Sequence, residues 1–545
     1  MNRGLITVFI SIIIVFSWTQ LNASAKYNKP RKSGDDLQRI IQMIDYRETT
    51  RGNIDMYFSN IGKTAQRDSS GTSMPGCFWP RGSQNSYIFG QGICFAAKKV
   101  YNGDTSKLFH LAYNPNTSKC WTIAGRIEDG ANMLFTKREK YQVYFSDDFD
   151  KVTGEPLDPN STISWPLWKK DNSASGYFGV FVFDENTRDN TNYPLGPDII
   201  SSQDIHCVFK DTDLSYYEHS QDSLTKAGYP LNIQYEMTAY FFDDDAYKDM
   251  AILRYKIINM SQDTLHDSWF GMVSDNDVKV AGADSTGQTN DVAMRYINDP
   301  SLNLSVTYTY TDKGEEGKGF GYFGLSMLET PAVDNNGYLR KDKPSFTPGE
   351  QLNMKTFLLF PIGRDTSILN NLYDNISSEK LDINLDEGDL RLLLGTGPFN
   401  MLPSDTTVVA FMLNFASPAN GGEADGSVAD MKNLIDKVRA GRDFYYNQHL
   451  INNVNETVNG NFSFIKIYPN PSSDFANVSF NIPSEGHVSF QLLNTIGQTV
   501  ESLEKVCNPG VNNFYLNLAD LTPGVYILKL GYMGLNKTQI FTVLK

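Results

Sequence analysis

The segment VSDNDVKVAGADSTGQTND places several acidic side chains close together near the middle of the chain. Asp275, Asp277 and Asp284 would offer carboxylate oxygens, the hard ligands that Ca²⁺ requires. In a strand, Asp275 and Asp277 would point to the same side, because side chains alternate. The run departs from an EF-hand loop, since Lys279 stands at the fifth position and no Glu closes it. The segment predicts a calcium site at these three Asp residues, with solvated acids in a turn as the alternative.

Aromatic side chains are a second set of candidates. The segment SWPLWKKDN brings Trp165 and Trp168 within a few positions of each other. An exposed Trp can stack on a sugar ring while its N–H donates a hydrogen bond. The hypothesis is a sugar-stacking pair at Trp165 and Trp168, and the alternative is burial of both rings in a β-sandwich core.

Familiar catalytic and cofactor-binding signatures are missing from the sequence. It contains no Gly-x-Ser-x-Gly, no His-Glu-x-x-His and no Walker or dinucleotide-binding glycine pattern. Its six histidines are scattered, and no cofactor other than Ca²⁺ is indicated. Carboxylates are abundant, so a catalytic pair of the glycosidase type stays open as an alternative. We therefore expect a structural or binding protein, with an extracellular hydrolase acting on glycans or peptides as the alternative.

The elements that would position these residues are mostly strands. Segments such as NIQYEMTAYFF, MAILRYKIIN and TTVVAFMLNFA are rich in β-branched and aromatic residues, with turn residues between them. We predict a mainly β protein, with a β-rich region of the β-sandwich type over residues 26–422, built as one or two subdomains. The spacing of apolar residues then predicts a helix over residues 423–448, and an Asn-rich linker follows over residues 449–463.

Composition limits the function further. The formal net charge is −15, and no basic run is interleaved with aromatics. Such a surface repels phosphate backbones, so we expect no nucleic-acid partner. Five cysteines are too few for a disulfide scaffold. We expect small buried thiols, with a Cys77–Cys94 bridge as the alternative.

The N-terminus resembles a secretory signal peptide. Arg3 precedes an apolar run from Leu5 to Trp18, and Ala23 and Ala25 flank a small-residue cleavage site. The run is shorter than the roughly 20 apolar residues of a membrane-spanning helix. We predict that residues 1–25 are a cleaved signal and that the mature chain is exported.

The C-terminal residues 464–545 show a regular alternation of short strands and turns. The segments IKIYPNP, ANVSFNI, HVSFQLLN, QTVESLEK, NNFYLNL, GVYILKL and TQIFTVL predict seven strands. We expect an Ig-like seven-stranded β-sandwich. Gly497, Gly510 and Gly524 are expected to take positive φ in the turns, and Tyr526 to fill the core.

The order of motifs in this segment resembles the type A C-terminal sorting domain of the type IX, or Por, secretion system. The motifs are YPNP, LLNTIGQTV, NLADLTPGVYILKL and a final Lys-Thr. Blocks before it resemble large secreted β-rich proteins that carry the same domain. The motif residues that we single out are Tyr468, Pro469, Asn470, Pro471, Gly497, Gly524, Tyr526 and Lys537.

The resemblance implies a route and partners. Such proteins cross the inner membrane by a cleaved signal, fold in the periplasm, and present the C-terminal domain to an outer-membrane translocon. A sortase-like peptidase then removes the domain, and the cargo is released or joined to surface lipopolysaccharide. The resemblance thus implies an extracellular or outer-membrane surface location, with lipopolysaccharide or glycans as further partners.

Overall fold

The computed structural model describes residues 44–69, 72–125, 127, 142–148, 157–158, 201–212, 214, 217, 220–282, 287–309, 314, 320–342, 346–449, 463–468, 470–482, 486–494, 498–508, 510–532 and 535–544. The predicted signal peptide, with Ala23 and Ala25, lies outside these residues. So do Asp284, Trp165, Trp168, Pro469, Gly497 and residues 450–462 of the predicted linker.

We call residues 44–449 the cargo region, and its described residues lie mainly in antiparallel strands. The first strands are β1 Tyr46–Glu48, β2 Asp55–Ser59, β3 Lys63–Thr64, β4 Gln66–Ser69, β5 Thr72–Pro75, β6 Cys77–Phe78, β7 Asn85–Ile88 and β8 Gly90–Tyr101. Next come β9 Asp104–Leu111, β10 Ile123–Ala124, β11 Tyr144–Phe145, β12 Gln203–Lys210, β13 Ile233–Phe241, β14 Met250–Asn259, β15 Leu265–Asp275 and β16 Lys279–Val280. The last are β17 Asp291–Arg295, β18 Leu304–Thr309, β19 Tyr322–Glu329, β20 Thr356–Pro361, β21 Asn384–Gly388, β22 Leu390–Met401 and β23 Thr406–Ala416.

Helices are short and few among the described residues. The α-helices are α1 Gln221–Ala227, α2 Asp365–Leu369, α3 Leu372–Ile376 and α4 Lys432–Asp443. A π-helical turn over Phe444–His449 extends α4, which lies within the segment predicted to be helical. The 3₁₀ turns are Ser146–Asp148, Gly287–Asn290, Pro300–Leu302, Pro348–Glu350 and Ile362–Arg364.

Two large sheets form a sandwich. The first has the order β16-β7-β6-β2-β3-β8-β15-β22-β20, with β1 beside β2 and β9 beside β8. The second has the order β10-β12-β13-β14-β23-β19-β18-β17-β21, with β11 beside β12. Apolar side chains of both sheets share one core, as in the contact between the Phe270 and Phe411 rings, whose centroids are 6.2 Å apart. The predicted β-sandwich type is therefore confirmed.

Helices cover the outer faces of both sheets. Ile368 and Leu372 of α2 and α3 pack on the first sheet, in a cluster with Trp269. Leu434 and Val438 of α4 pack on the second sheet. Each sheet is thus covered on both faces, which explains why every residue of β13 is buried, including the polar ones.

The C-terminal domain has the predicted seven strands. They are β24 Ser463–Tyr468, β25 Phe475–Ile482, β26 Gly486–Leu493, β27 Thr499–Cys507, β28 Gly510–Asn517, β29 Gly524–Tyr532 and β30 Leu535–Val543. Strands β24, β25 and β28 form one sheet, and β27, β26, β29 and β30 form the other. Alternating side chains such as Val488, Phe490 and Leu492 fill a separate apolar core.

Candidate functional site

Acidic residues converge where the central strands of the first sheet end. Strand β15 ends at Asp275, Asp277 follows two residues later, and Asp389 directly precedes β22. Potential ligand atoms of these three residues all lie within 4.8 Å of one another. We call Asp275, Asp277 and Asp389 the acidic cluster.

Two basic side chains contact the cluster. Arg391 lies directly opposite Asp275 in the β15–β22 ladder. Its Nε is 3.3 Å from Asp275 Oδ1, and its Nη1 forms an ion pair with Asp389. Lys279 Nζ lies 3.6 Å from Asp277 Oδ2. The cluster is therefore partly neutralised by the protein itself.

Tyr113, two residues after the end of β9, also contacts the cluster. Its hydroxyl donates a 3.1 Å hydrogen bond to Asp275 Oδ2. The ring fits there because Gly90 and Gly92 of β8 have no side chain: a Cβ at either position would lie 2.7 Å from Tyr113 atoms. These glycines are needed for close approach of the ring to the strand.

Two further carboxylates surround the cluster, and burial changes their acidity. Asp365, at the start of α2, lies with its Oδ2 3.6 Å from Arg391 Nε, and burial raises its pKa to about 6. Asp291 accepts the backbone N–H of Val278, and burial raises its pKa well above the ordinary range. Burial also raises the pKa of Asp275 well above normal and raises that of Asp277. The site thus holds more carboxyl groups than its two bases can neutralise, and burial disfavours the ionised form of the excess.

Burial limits the chemistry that the cluster could perform. Asp275 and Asp277 are only 2% and 5% exposed, whereas Asp389 is partly exposed. A polymer cannot reach two buried carboxylates in the way that a glycosidase requires. A small cation can, because oxygen ligands need only surround it.

Two of the three Asp residues that the sequence singled out belong to this cluster, and the third, Asp284, lies outside the described residues. Asp275 and Asp277 do lie together, but Asp389 and Arg391 were missed. They are distant in the chain and join the site through strand pairing. A weak signal was available, since DEGDLR places three acids and an Arg immediately at the start of an apolar run.

The tryptophans and cysteines of the described residues lie outside the acidic cluster and are buried. Trp79, Trp121 and Trp269 are buried in the cores. All five cysteines are buried and free, so the alternative Cys77–Cys94 bridge is absent.

A shallow groove lies beside α4. It has a volume of about 340 Å³, and its lining includes Trp79, Asp249, Asn433 and Lys437. The Trp79 indole N–H donates a 2.7 Å hydrogen bond to Asp249 Oδ1, and Lys437 forms an ion pair with the same carboxylate. The groove therefore combines an aromatic ring with hydrogen-bond donors and acceptors.

The YPNP turn is attached to the last strand of the C-terminal domain. Asn470 Oδ1 accepts a 2.9 Å hydrogen bond from the backbone N–H of Thr542. Ser472 makes backbone hydrogen bonds to Thr542 and Leu544. Asn470 and Pro471 are exposed, and so is Lys537 on β30. The first turn and the last strand of the domain are thus held together.

The remaining predictions for the C-terminal domain concern the burial of Tyr526 and the positive φ of the turn glycines. Tyr526 is buried as predicted, and its hydroxyl donates a 2.8 Å hydrogen bond to the carbonyl of Thr522. Gly510 has the predicted positive φ of 94°. The prediction was wrong for Gly524, which is not in the positive-φ region because it already belongs to β29 and pairs with Val543.

Comparison with known proteins decides what this domain is. Residues 466–543 match the family model of the secretion system C-terminal sorting domain, of the Por type. The chain carries this sorting domain. The sorting domain implies interaction with the type IX secretion machinery and export to the extracellular or cell-surface space.

Comparisons of the rest of the chain are uninformative. No curated protein matches the sequence. Similar solved structures include a polysaccharide lyase, with 9% identity and a TM-score of 0.17, covering 83% of this chain and 47% of that chain. Another is the Faecalibacterium prausnitzii β-glucuronidase, with 13% identity and a TM-score of 0.13, covering 42% of this chain and 38% of that chain. The chain thus spans less than half the length of either, and scores this low establish no shared fold.

No helix among the described residues is long and apolar enough to cross a bilayer.

Proposed function

We propose that this chain is a type IX cargo protein that acts as a structural or binding component at the cell surface or outside the cell. The sorting domain over residues 466–543 is the observation that carries this proposal. Its seven strands and apolar core support a sorting signal that is recognised as a folded domain.

The proposed route has three steps. Residues 1–25 direct the chain across the inner membrane and are cleaved after Ala25. The outer-membrane translocon then recognises the folded sorting domain. A sortase-like peptidase removes the domain, and the cargo is released or joined to surface lipopolysaccharide.

The proposed task of the cargo is binding, with a glycan as the ligand class. The groove beside α4 supports this proposal, because Asn433, Lys437 and Asp436 offer donors and acceptors beside Trp79. Sugar hydroxyls are both donors and acceptors, so these polar groups around the groove suit them. Burial of Asp275 and Asp277 favours binding over hydrolysis at the acidic cluster.

The export proposal is tested by removing the sorting domain. A chain that ends at Asn461, before β24 begins, is compared with the full chain for its amount in the periplasm and in the medium or on the cell surface. We expect the shortened chain to accumulate in the periplasm. Normal export of the shortened chain would contradict the sorting role.

The binding proposal is tested on the secreted cargo with a glycan array and with hydrolysis assays on the glycans that bind. We expect retention of a glycan without cleavage, weakened by Asn433→Ala. Asn371→Ala is the matched control, because both Asn side chains are exposed and donate to a Ser carbonyl, Ser417 and Ser367 respectively. Cleavage of a bound glycan or a peptide would favour the hydrolase alternative instead.

A further inference from the structure

We propose that Asp275, Asp277 and Asp389 form a calcium site in the cargo region. Their potential ligand atoms lie within 4.8 Å of one another, which is close enough for one cation to contact all three. The site differs from the set that the sequence suggested, because Asp389 arrives from the start of β22. It does not depend on the export route, since it belongs to the cargo and can be tested on purified protein.

The first support is the balance of charge. Asp291 and Asp365 add two carboxylates beside the cluster, and both are almost completely buried. Arg391 and Lys279 are the basic side chains that form ion pairs with the cluster among the described residues. Buried carboxylates that outnumber their bases are costly, and a divalent cation would remove that excess.

The second support is an oxygen with no donor. Asp277 is only 5% exposed, and its buried Oδ1 accepts no hydrogen bond. Asp365, which is 1% exposed, likewise has two oxygens that accept no hydrogen bond. Buried acceptors normally have a partner, so such atoms indicate a group that the polypeptide does not supply.

Ligand chemistry selects the cation. The cluster offers only carboxylate oxygens, without the Cys or His ligands that zinc and other transition metals favour. Ca²⁺ accepts about six to eight oxygens in flexible geometry, whereas Mg²⁺ requires a near-octahedral shell and keeps its waters. Asp389 and Lys279 retain about 15% side-chain exposure, so the cation would enter from their side and keep some water ligands.

The test measures calcium on the mature full chain after treatment with a chelator. CaCl₂ is titrated by calorimetry, and the bound metal is counted by elemental analysis. We expect one Ca²⁺ per chain and a higher midpoint of thermal unfolding when it binds. Asp277→Asn and Asp389→Asn should each weaken binding at least about tenfold. Asp245→Asn is the matched control, since it removes the same charge from an exposed acidic run and should change nothing.

Two variants keep the test decisive. If Asp277→Asn does not fold, the partly exposed Asp389→Asn gives the answer together with the wild-type titration. The site assignment would be overturned by a wild-type chain that binds no Ca²⁺. It would also be overturned by unchanged binding in Asp389→Asn, or by Mg²⁺ binding as tightly as Ca²⁺.

Discussion

The cargo region and the sorting domain are both antiparallel β-sandwiches, yet they bury different groups. Among the described residues, the sorting domain buries no Asp, Glu, Lys or Arg side chain, and its core is apolar. The cargo region buries many charged groups, including Asp211, Glu236, Asp275, Asp291 and Arg391. The described core of the sorting domain thus contains no charged side chain, whereas the cargo also depends on balanced buried charge.

Both regions contain pairs of strands that are adjacent in the chain, and they differ in how far apart their other paired strands lie. In the sorting domain, the non-adjacent pairs are β25 with β28 and β26 with β29, all within residues 475–532. In the cargo region, β15 at Leu265–Asp275 pairs with β8 at Gly90–Tyr101 and with β22 at Leu390–Met401. Sequence patterns describe neighbouring strands well, so the sorting domain can be recognised from its sequence and the site in the cargo cannot.

The largest loss of stability is expected when buried carboxylates lose their basic partner. Arg391→Ala should destabilise the cargo region by about 3–5 kcal/mol, because it leaves buried carboxylates without their base. Urea unfolding followed by Trp fluorescence measures this, since all six Trp residues precede the sorting domain. As a control, Lys432→Ala breaks an exposed ion pair with Asp436 and should cost less than about 1 kcal/mol. Equal stability of Arg391→Ala and wild type would contradict the role of buried charge.

The apolar core of the sorting domain gives the matching test. Leu528→Ala removes a fully buried side chain and should cost about 2–5 kcal/mol. The rate of thiol labelling at Cys507 reports this, because it is buried and is the sorting domain's single Cys. Val525→Ala, at an exposed position of the same strand, is the control. A shift of the Trp transition as large as that of Arg391→Ala would show that the two regions are not independent.

Acid should weaken the cargo region through Asp249. Burial alone would raise the pKa of Asp249, but hydrogen bonds from Lys437, Trp79 and Asn53 lower it below the ordinary 3.8. A lowered pKa contributes stability above the ordinary value, and that stability is lost as the pH falls through the folded value. Asp249→Asn should cost about 1–3 kcal/mol at neutral pH.

The measurement is the urea midpoint of Trp fluorescence between pH 7 and pH 3. The difference between wild type and Asp249→Asn should shrink as the pH falls. A difference that stays constant with pH would mean that the ionised carboxylate is not what stabilises this contact. Asp334→Asn, in an exposed turn, is a control for the loss of one charge.

The smallest effect concerns a single hydroxyl of the sorting domain. Tyr526→Phe keeps the ring beside Phe541 and removes the hydrogen bond to Thr522, so it should cost about 1 kcal/mol. Cys507 labelling again provides the measurement. Tyr515→Phe, at a position that is 60% exposed, should have no effect. A similar loss of stability in Tyr526→Phe and Tyr515→Phe would contradict a stabilising role of the Tyr526 hydrogen bond.

Sequence patterns predicted the strands better than the site. NIQYEMTAYFF, MAILRYKIIN and TTVVAFMLNFA are β13, β14 and β23, because apolar and β-branched residues mark buried strands in any topology. The acidic cluster needed the pairing of β15 with β22, which places Arg391 opposite Asp275. Such pairing depends on packing between distant segments, and no local spacing encodes it. Gly524 is a second example: its conformation depends on pairing with Val543, which its local sequence does not predict.

The central claim is that the sorting domain is a folded export signal that works independently of its cargo. Its most direct test fuses residues 450–545 to an inert periplasmic reporter and measures the reporter outside the cell. The matched variant Val478→Asp puts a charge into the apolar core while leaving the YPNP turn unchanged. We expect the wild-type fusion to export the reporter and the variant to retain it in the periplasm. Retention of both fusions, or equal export of both, would contradict the claim.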